Sequence, residues 1–389
     1  MRARGLVVAV VLLAVMIRAC SGLAAAQDGG ALGPGVNQVL NELDTEEFEG
    51  FLESLNSEAS RYLPEFDIAK IASDPASLFD PVELLHNAGA YVAGEVLGNL
   101  SILGALVMLA VLAAALQVLA AGMNERGPVF TAQVVCRMVL VIMGVSAFER
   151  SANIGLRTVE NMMNLIYAMM PALVSAMAAS GGIATAAVAS PVLAAAAAAM
   201  GTIVRSTVVP LLMLATVLSL VGDIGGRKQV TRIASIMRQW AFAILGLGST
   251  LFVATAGIRS GITKVSDAAA GKAAKFLAGS MVPVVGKVFA DALDVIVASS
   301  ALVRGALGAF GLVALALVCL FPLLKMASIM LAFRIAGALC QPLADDGISD
   351  CLWELADALQ ALCLAVGTVG LMFYLCLAAF AGFGGVLPR

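Results

Sequence analysis

The chain reads as an all-α polytopic membrane protein. Three features of its 389 residues lead there: 61% are hydrophobic, only 13% are charged, and uncharged stretches of 20 residues or more recur along its length. The mean hydropathy is +0.99. Soluble domains carry about 25% charged residues, and a water-soluble fold of this size has too little polar surface to shelter so much hydrocarbon. The expected architecture is a cleaved signal peptide (1–26), a small acidic extracytoplasmic region (27–95) and a multi-span domain (96–389). That last domain is expected to hold about seven transmembrane helices and two re-entrant or interfacial excursions.

Arg2 and Arg4 precede the apolar stretch Leu6–Ile17, and Ala24, Ala25 and Ala26 follow it. This is the order of a secretory signal peptide. Twelve apolar residues reach about 18 Å, short of the roughly 30 Å hydrocarbon core. Cleavage after Ala26 leaves the mature N-terminus outside. Between Gln27 and Glu95 there are 14 acidic residues against Arg61 and Lys70. Asp44 with Glu47 forms a capping box, and Phe48, Phe51, Leu52 and Leu55 then stripe one helical face. The region serves either as a solvated spacer or as a docking arm.

The first span lies near Leu100–Gly122, and Glu125–Pro128 turns the chain back into Val129–Phe148. Thr207–Val221, Gln239–Ile258, Gly305–Leu324, Met326–Leu343 and Ala358–Pro388 complete seven. Arg227, Lys228, Arg232 and Arg238 place their loop in the cytoplasm by the positive-inside bias. Asp345, Asp346, Asp350, Glu354 and Asp357 suit the outside. Seven spans from an external N-terminus then leave Arg389 in the cytoplasm. Asn161–Val204 is either an extra hairpin or a re-entrant excursion. Arg259–Arg304 is a second excursion, placed outside despite its basic residues. Both contain a proline motif, around Pro171 and Pro283, as interrupted helices lining a pathway do.

Five polar residues are candidates for a pathway or an intramembrane contact. Lys287, Asp291 and Asp294 are spaced by four and three, so they share one helical face. Arg137 and Arg334 interrupt apolar stretches, where a charge costs roughly 2.5–3.5 kcal/mol at a helix centre and so tends to mark function. Arg150, Asn153, Arg157, Asn161 and Asn164 form a second stripe, either interfacial or lining a cavity. Lys325, at the end of an expected span, snorkels to the headgroups. Cys340 and Cys351 flank the acidic loop at a spacing that permits a disulfide.

Enzyme chemistry finds no footing here. HExxH, GxSxG and GxxxxGK[ST] are absent, His86 is the single histidine, and no cysteine spacing suits zinc. The expectation is no catalytic residue, no cofactor and no metal. No basic face suits nucleic acid. An ATP-driven process needs a separate ATPase.

The last third carries a specific likeness. Lys275–Gly279, Pro283–Gly286 and Asp291–Asp294 resemble the stage III sporulation protein AE family, as do Phe321–Lys325 and Leu339–Leu343. The order of signal peptide, acidic region and multiple spans fits it as well. The resemblance implies a role in endospore formation, in the mother-cell membrane around the forespore. It implies a multi-protein channel or feeding complex with other stage III membrane proteins, joined to a forespore membrane protein across the intermembrane space. The chain is then a permease-like conduit; an autonomous secondary transporter and a non-conducting scaffold are the alternatives.

Overall fold

A computed structural model describes residues 94, 98, 104–109, 111–112, 115, 127–180, 183–224, 229–252, 254, 285–341 and 346–381. The expected signal peptide, nearly all of the acidic region and most of the first span lie outside these residues, as does Pro283. All described elements are helical. Helix α1 runs over Gly127–Ala179, α2 over Ile183–Ile203 and α3 over Val209–Ile224. Helix α4 covers 229–252, α5 covers Val285–Cys340 and α6 covers Asp346–Ala381. Among the described residues, four helices are long and apolar enough to cross a bilayer: Val134–Ala179, Ala195–Gly222, Leu307–Cys340 and Gly347–Ala378. The described residues are all helical, as in a multi-pass membrane protein.

Three sequence expectations are revised. The spans expected at 305–324 and 326–343 share one 56-residue helix, α5. Lys325 interrupts hydropathy without breaking a hydrogen-bonded helix, and Pro322 removes only one backbone donor, a loss that membrane helices tolerate. Asn161–Val204 is divided between two longer helical rods. Its first half continues α1 through Pro171 to Ala179. Its second half is α2, which passes through a π-turn at Val204–Val208 straight into α3. Cys340 and Cys351 are both buried and are not joined by a disulfide.

Side chains at the helix seams fix how the rods run. Gly144 of α1 faces Leu355 of α6, and Gly155 faces Val366, so these two helices are parallel. Gly155 also faces Met326 of α5, while Met169 packs on Gly311, so α5 runs the other way. Gly337 beside Trp353 and Gly367 beside Leu323 confirm that α5 and α6 are antiparallel. Glycine at these crossings lets backbones approach closely, the usual means of joining helices where lipid removes the hydrophobic drive. Leu140, Phe148, Met162, Phe333, Phe373 and Tyr374 fill the core between the three. The α2–α3 rod packs on α1 through Gly201 against Met163. Helix α4 joins α6 through an edge-to-face contact of Phe252 with Phe373, centroids 6.0 Å apart.

The contacts also correct the expected orientation. Arg238 of the basic segment lies 3.6 Å from Glu354 of the acidic one. The two segments therefore occupy one end of the bundle and cannot face opposite sides of a membrane.

Candidate functional site

Four helices meet around the first turns of α6. The sequence of α6 changes character along its length: Asp346, Asp350, Glu354 and Asp357 fall in its first third, and no charge follows until Arg389. Glu354 and Asp357 are three residues apart, so they project from neighbouring positions on one face. Glu354 Oε2 accepts a 3.1 Å hydrogen bond from Ser219 Oγ of α3 and meets Arg238 Nη2 of α4. Ser219 is buried. One carboxylate thus ties three helices together.

Arg334 of α5 completes the cluster. Its Nη2 donates to the side-chain oxygen of Gln360 and lies 3.5 Å from Asp357 Oδ1. The side chain is only 13% exposed against 37% for Asp357. Its Nε is buried without a hydrogen-bond partner. A buried guanidinium in this setting depends on its carboxylate and amide, because an uncompensated buried charge is costly. Two turns nearer the helix start than Asp357, the Ser349 hydroxyl donates to the Gly337 carbonyl of α5 at 3.2 Å.

Arg137 of α1 reaches the same end. Its guanidinium packs on the Cα of Gly347, where any side chain would overlap it. Glycine there admits a large cation to the first turn of α6, next to the acidic residues.

The five residues singled out from sequence therefore divide. Arg137 and Arg334 come to the Glu354 end. Lys287, Asp291 and Asp294 lie on the first turns of α5, about 64 Å along the helix from Arg334 at 1.5 Å per residue. No single site holds all five. Sequence reasoning missed Ser219, Arg238, Glu354 and Gln360 as partners, because only the fold brings 219, 238 and 354 together. One signal was present: charges confined to one end of an otherwise uncharged helix. Among the described residues no group of His, Cys, Asp or Glu has the arrangement of a metal site. Through Ser219 and Arg238, Glu354 joins α6 to α3 and α4 at one point.

Comparison with known proteins follows the same lines. The profile of the family described as "Stage III sporulation protein AE" matches residues 68–384. A relative of that description from Bacillus subtilis (strain 168) is 28% identical over 346 residues, covering 88% of this chain and 87% of its own. No solved structure matches.

Proposed function

Because the chain belongs to the stage III sporulation protein AE family, we propose that it is a membrane subunit of a sporulation complex that joins mother cell and forespore. In this reading it sits in the mother-cell membrane and contributes a conduit for late forespore development. Its partners are other stage III membrane proteins, a separate ATPase and a forespore membrane protein. The observation that carries the reading is the family match over 68–384 together with helices able to cross a bilayer. The charged cluster at the Glu354 end supports a part in an assembly, since it couples four helices at a place where a partner can bear on them.

The test is genetic and biochemical. Deletion of the coding sequence should reduce heat-resistant spores by several orders of magnitude, with arrest after engulfment. An epitope-tagged chain extracted in mild detergent from sporulating cells should bring down other stage III membrane proteins. Normal spore yield in the deletion strain overturns the reading. Solute uptake by the purified chain alone in liposomes would favour an autonomous transporter. Assembly without any permeability change would favour a scaffold.

A further inference from the structure

Helix register fixes depth. Between Gly144 and Gly155, α1 advances eleven residues while its α6 contacts advance equally, from Leu355 to Val366. By that register, Arg150–Asn164 of α1 stand level with about residues 361–375 of α6 and about 331–317 of α5, at 1.5 Å per residue in each helix. Those stretches are the apolar heart of the bundle: α6 carries no charge from Ala358 to Pro388. Yet on α1 the side chains of Glu149, Arg150, Asn153, Arg157, Glu160, Asn161 and Asn164 all face away from the bundle. Among the described residues none of the four charged ones has an ion-pair or hydrogen-bond partner.

Other helices repeat the pattern at that depth. Arg205 of the α2–α3 rod is exposed and lies one turn from Gly201, which packs on Met163 of α1. It falls within the π-turn Val204–Val208, an irregularity that recurs at functional positions of helices. Lys325 of α5 is half-buried beside Met326, the residue that meets Gly155, so it stands mid-bundle rather than at a span's end. By contrast, the outward face of α4 at this depth is apolar, with Leu247 and Leu251 each 66% exposed. That is the face lipid requires.

We infer that the α1 stripe from Arg150 to Asn164, with Arg205 and Lys325 at the same depth, borders a water-filled passage for small hydrophilic solutes through the membrane. Hydrocarbon cannot solvate unpaired carboxylates and guanidinium groups. Ionisable groups at this depth turn to a bundle interior or to a watery cavity. The stripe extends over about 21 Å of helix, two thirds of a roughly 30 Å core, and a local interhelical contact needs only one or two polar side chains. Mixed charge with interleaved amides favours polar solutes over apolar ones without selecting one sign. The inference rests on the conduit reading above and names its wall.

The test uses single cysteines at Asn153, Asn161 and Asn164 in the full-length chain, with Leu247 and Leu251 as lipid-facing controls. Sealed membrane vesicles are treated with a charged, membrane-impermeant methanethiosulfonate. The unsubstituted chain, whose Cys136, Cys319, Cys340, Cys351 and Cys376 are buried, sets the baseline. Stripe positions should react at least tenfold faster than the controls. If a variant is missing from the membrane on immunoblot, exposed Ala168, one turn on, replaces it. Rates equal to the controls overturn the inference and mean that another segment of the chain or a partner covers the stripe dry. The broader sporulation reading survives that outcome; it falls only if the deletion strain makes spores normally.

Discussion

Arg334 shows what a single charged residue needs in this fold. Its guanidinium is almost enclosed, with Gln360 and Asp357 as its partners. Gln360→Leu removes the amide acceptor and leaves a buried donor, at a cost of about 1–3 kcal/mol; the detergent-solubilised protein should melt several degrees lower. Glu354→Gln should cost less, within about 1 kcal/mol, because its pair with Arg238 is partly solvated and such pairs are weak. A larger loss would show that Glu354 carries the register of α3 and α4 almost alone. At Gly347 the argument is steric. Gly347→Val drives a branched side chain into the Arg137 guanidinium, and overpacking of this kind costs about 1–3 kcal/mol. Thermal melting of the purified variant checks it, and an unchanged midpoint would mean that Arg137 swings aside.

At the scale of the element, glycine separates seams from open faces. Gly155 of α1 lies where an added Cβ would come 2.8 Å from Val366. Gly155→Leu should therefore lose about 1–3 kcal/mol or prevent α1 from docking. Gly246 of α4 has no atom within 4 Å of such a Cβ. Gly246→Ala should stabilise by about 0.5–1 kcal/mol through helix propensity. Measured together, the two substitutions separate packing from propensity. This scale is also where sequence and structure part company. Hydropathy located the apolar stretches, yet it placed helix ends at charges. Glu149 and Arg150 do not end α1, and Lys325 does not end the helix through Phe321, because a helix is stopped by lost hydrogen bonds and turn geometry rather than by polarity. The stripe spacing of Arg150, Asn153, Arg157, Asn161 and Asn164 was legible, since periodicity survives in one dimension. Its depth was not, because depth depends on which helix lies alongside.

For the whole molecule, the contacts of Glu354 replace charge counting as the guide to topology. Ser219, Arg238 and Glu354 share one end, so cysteines at exposed Ser235 and Asp350 should both react with an impermeant reagent from the same side of the membrane. Four basic residues between Gly225 and Gln239 predict, under the positive-inside bias, that an impermeant reagent reaches both positions from the cytoplasmic side. Helix α6 begins there and should end on the other side. Labelling of the two positions from opposite sides would refute the α4–α6 pairing. Composition sufficed to recognise a membrane protein, and the last-third motifs sufficed for its family. The acidic segment misled because Asp and Glu contribute little to orientation, and here they serve as partners for cations from other helices.

The length of α5 has a consequence for the residues at its start. A straight rod of 56 residues measures about 84 Å, and even at a tilt of about 40° it rises about 64 Å along the membrane normal. Hydrocarbon accounts for roughly 30 Å of that height, so about half of the rod is a mast standing clear of the lipid. The stretch long and apolar enough to cross the bilayer begins only at Leu307, so the turns bearing Lys287, Asp291 and Asp294 precede it. The same helix carries Arg334 near its other end, so one continuous element links those first turns to the buried cluster.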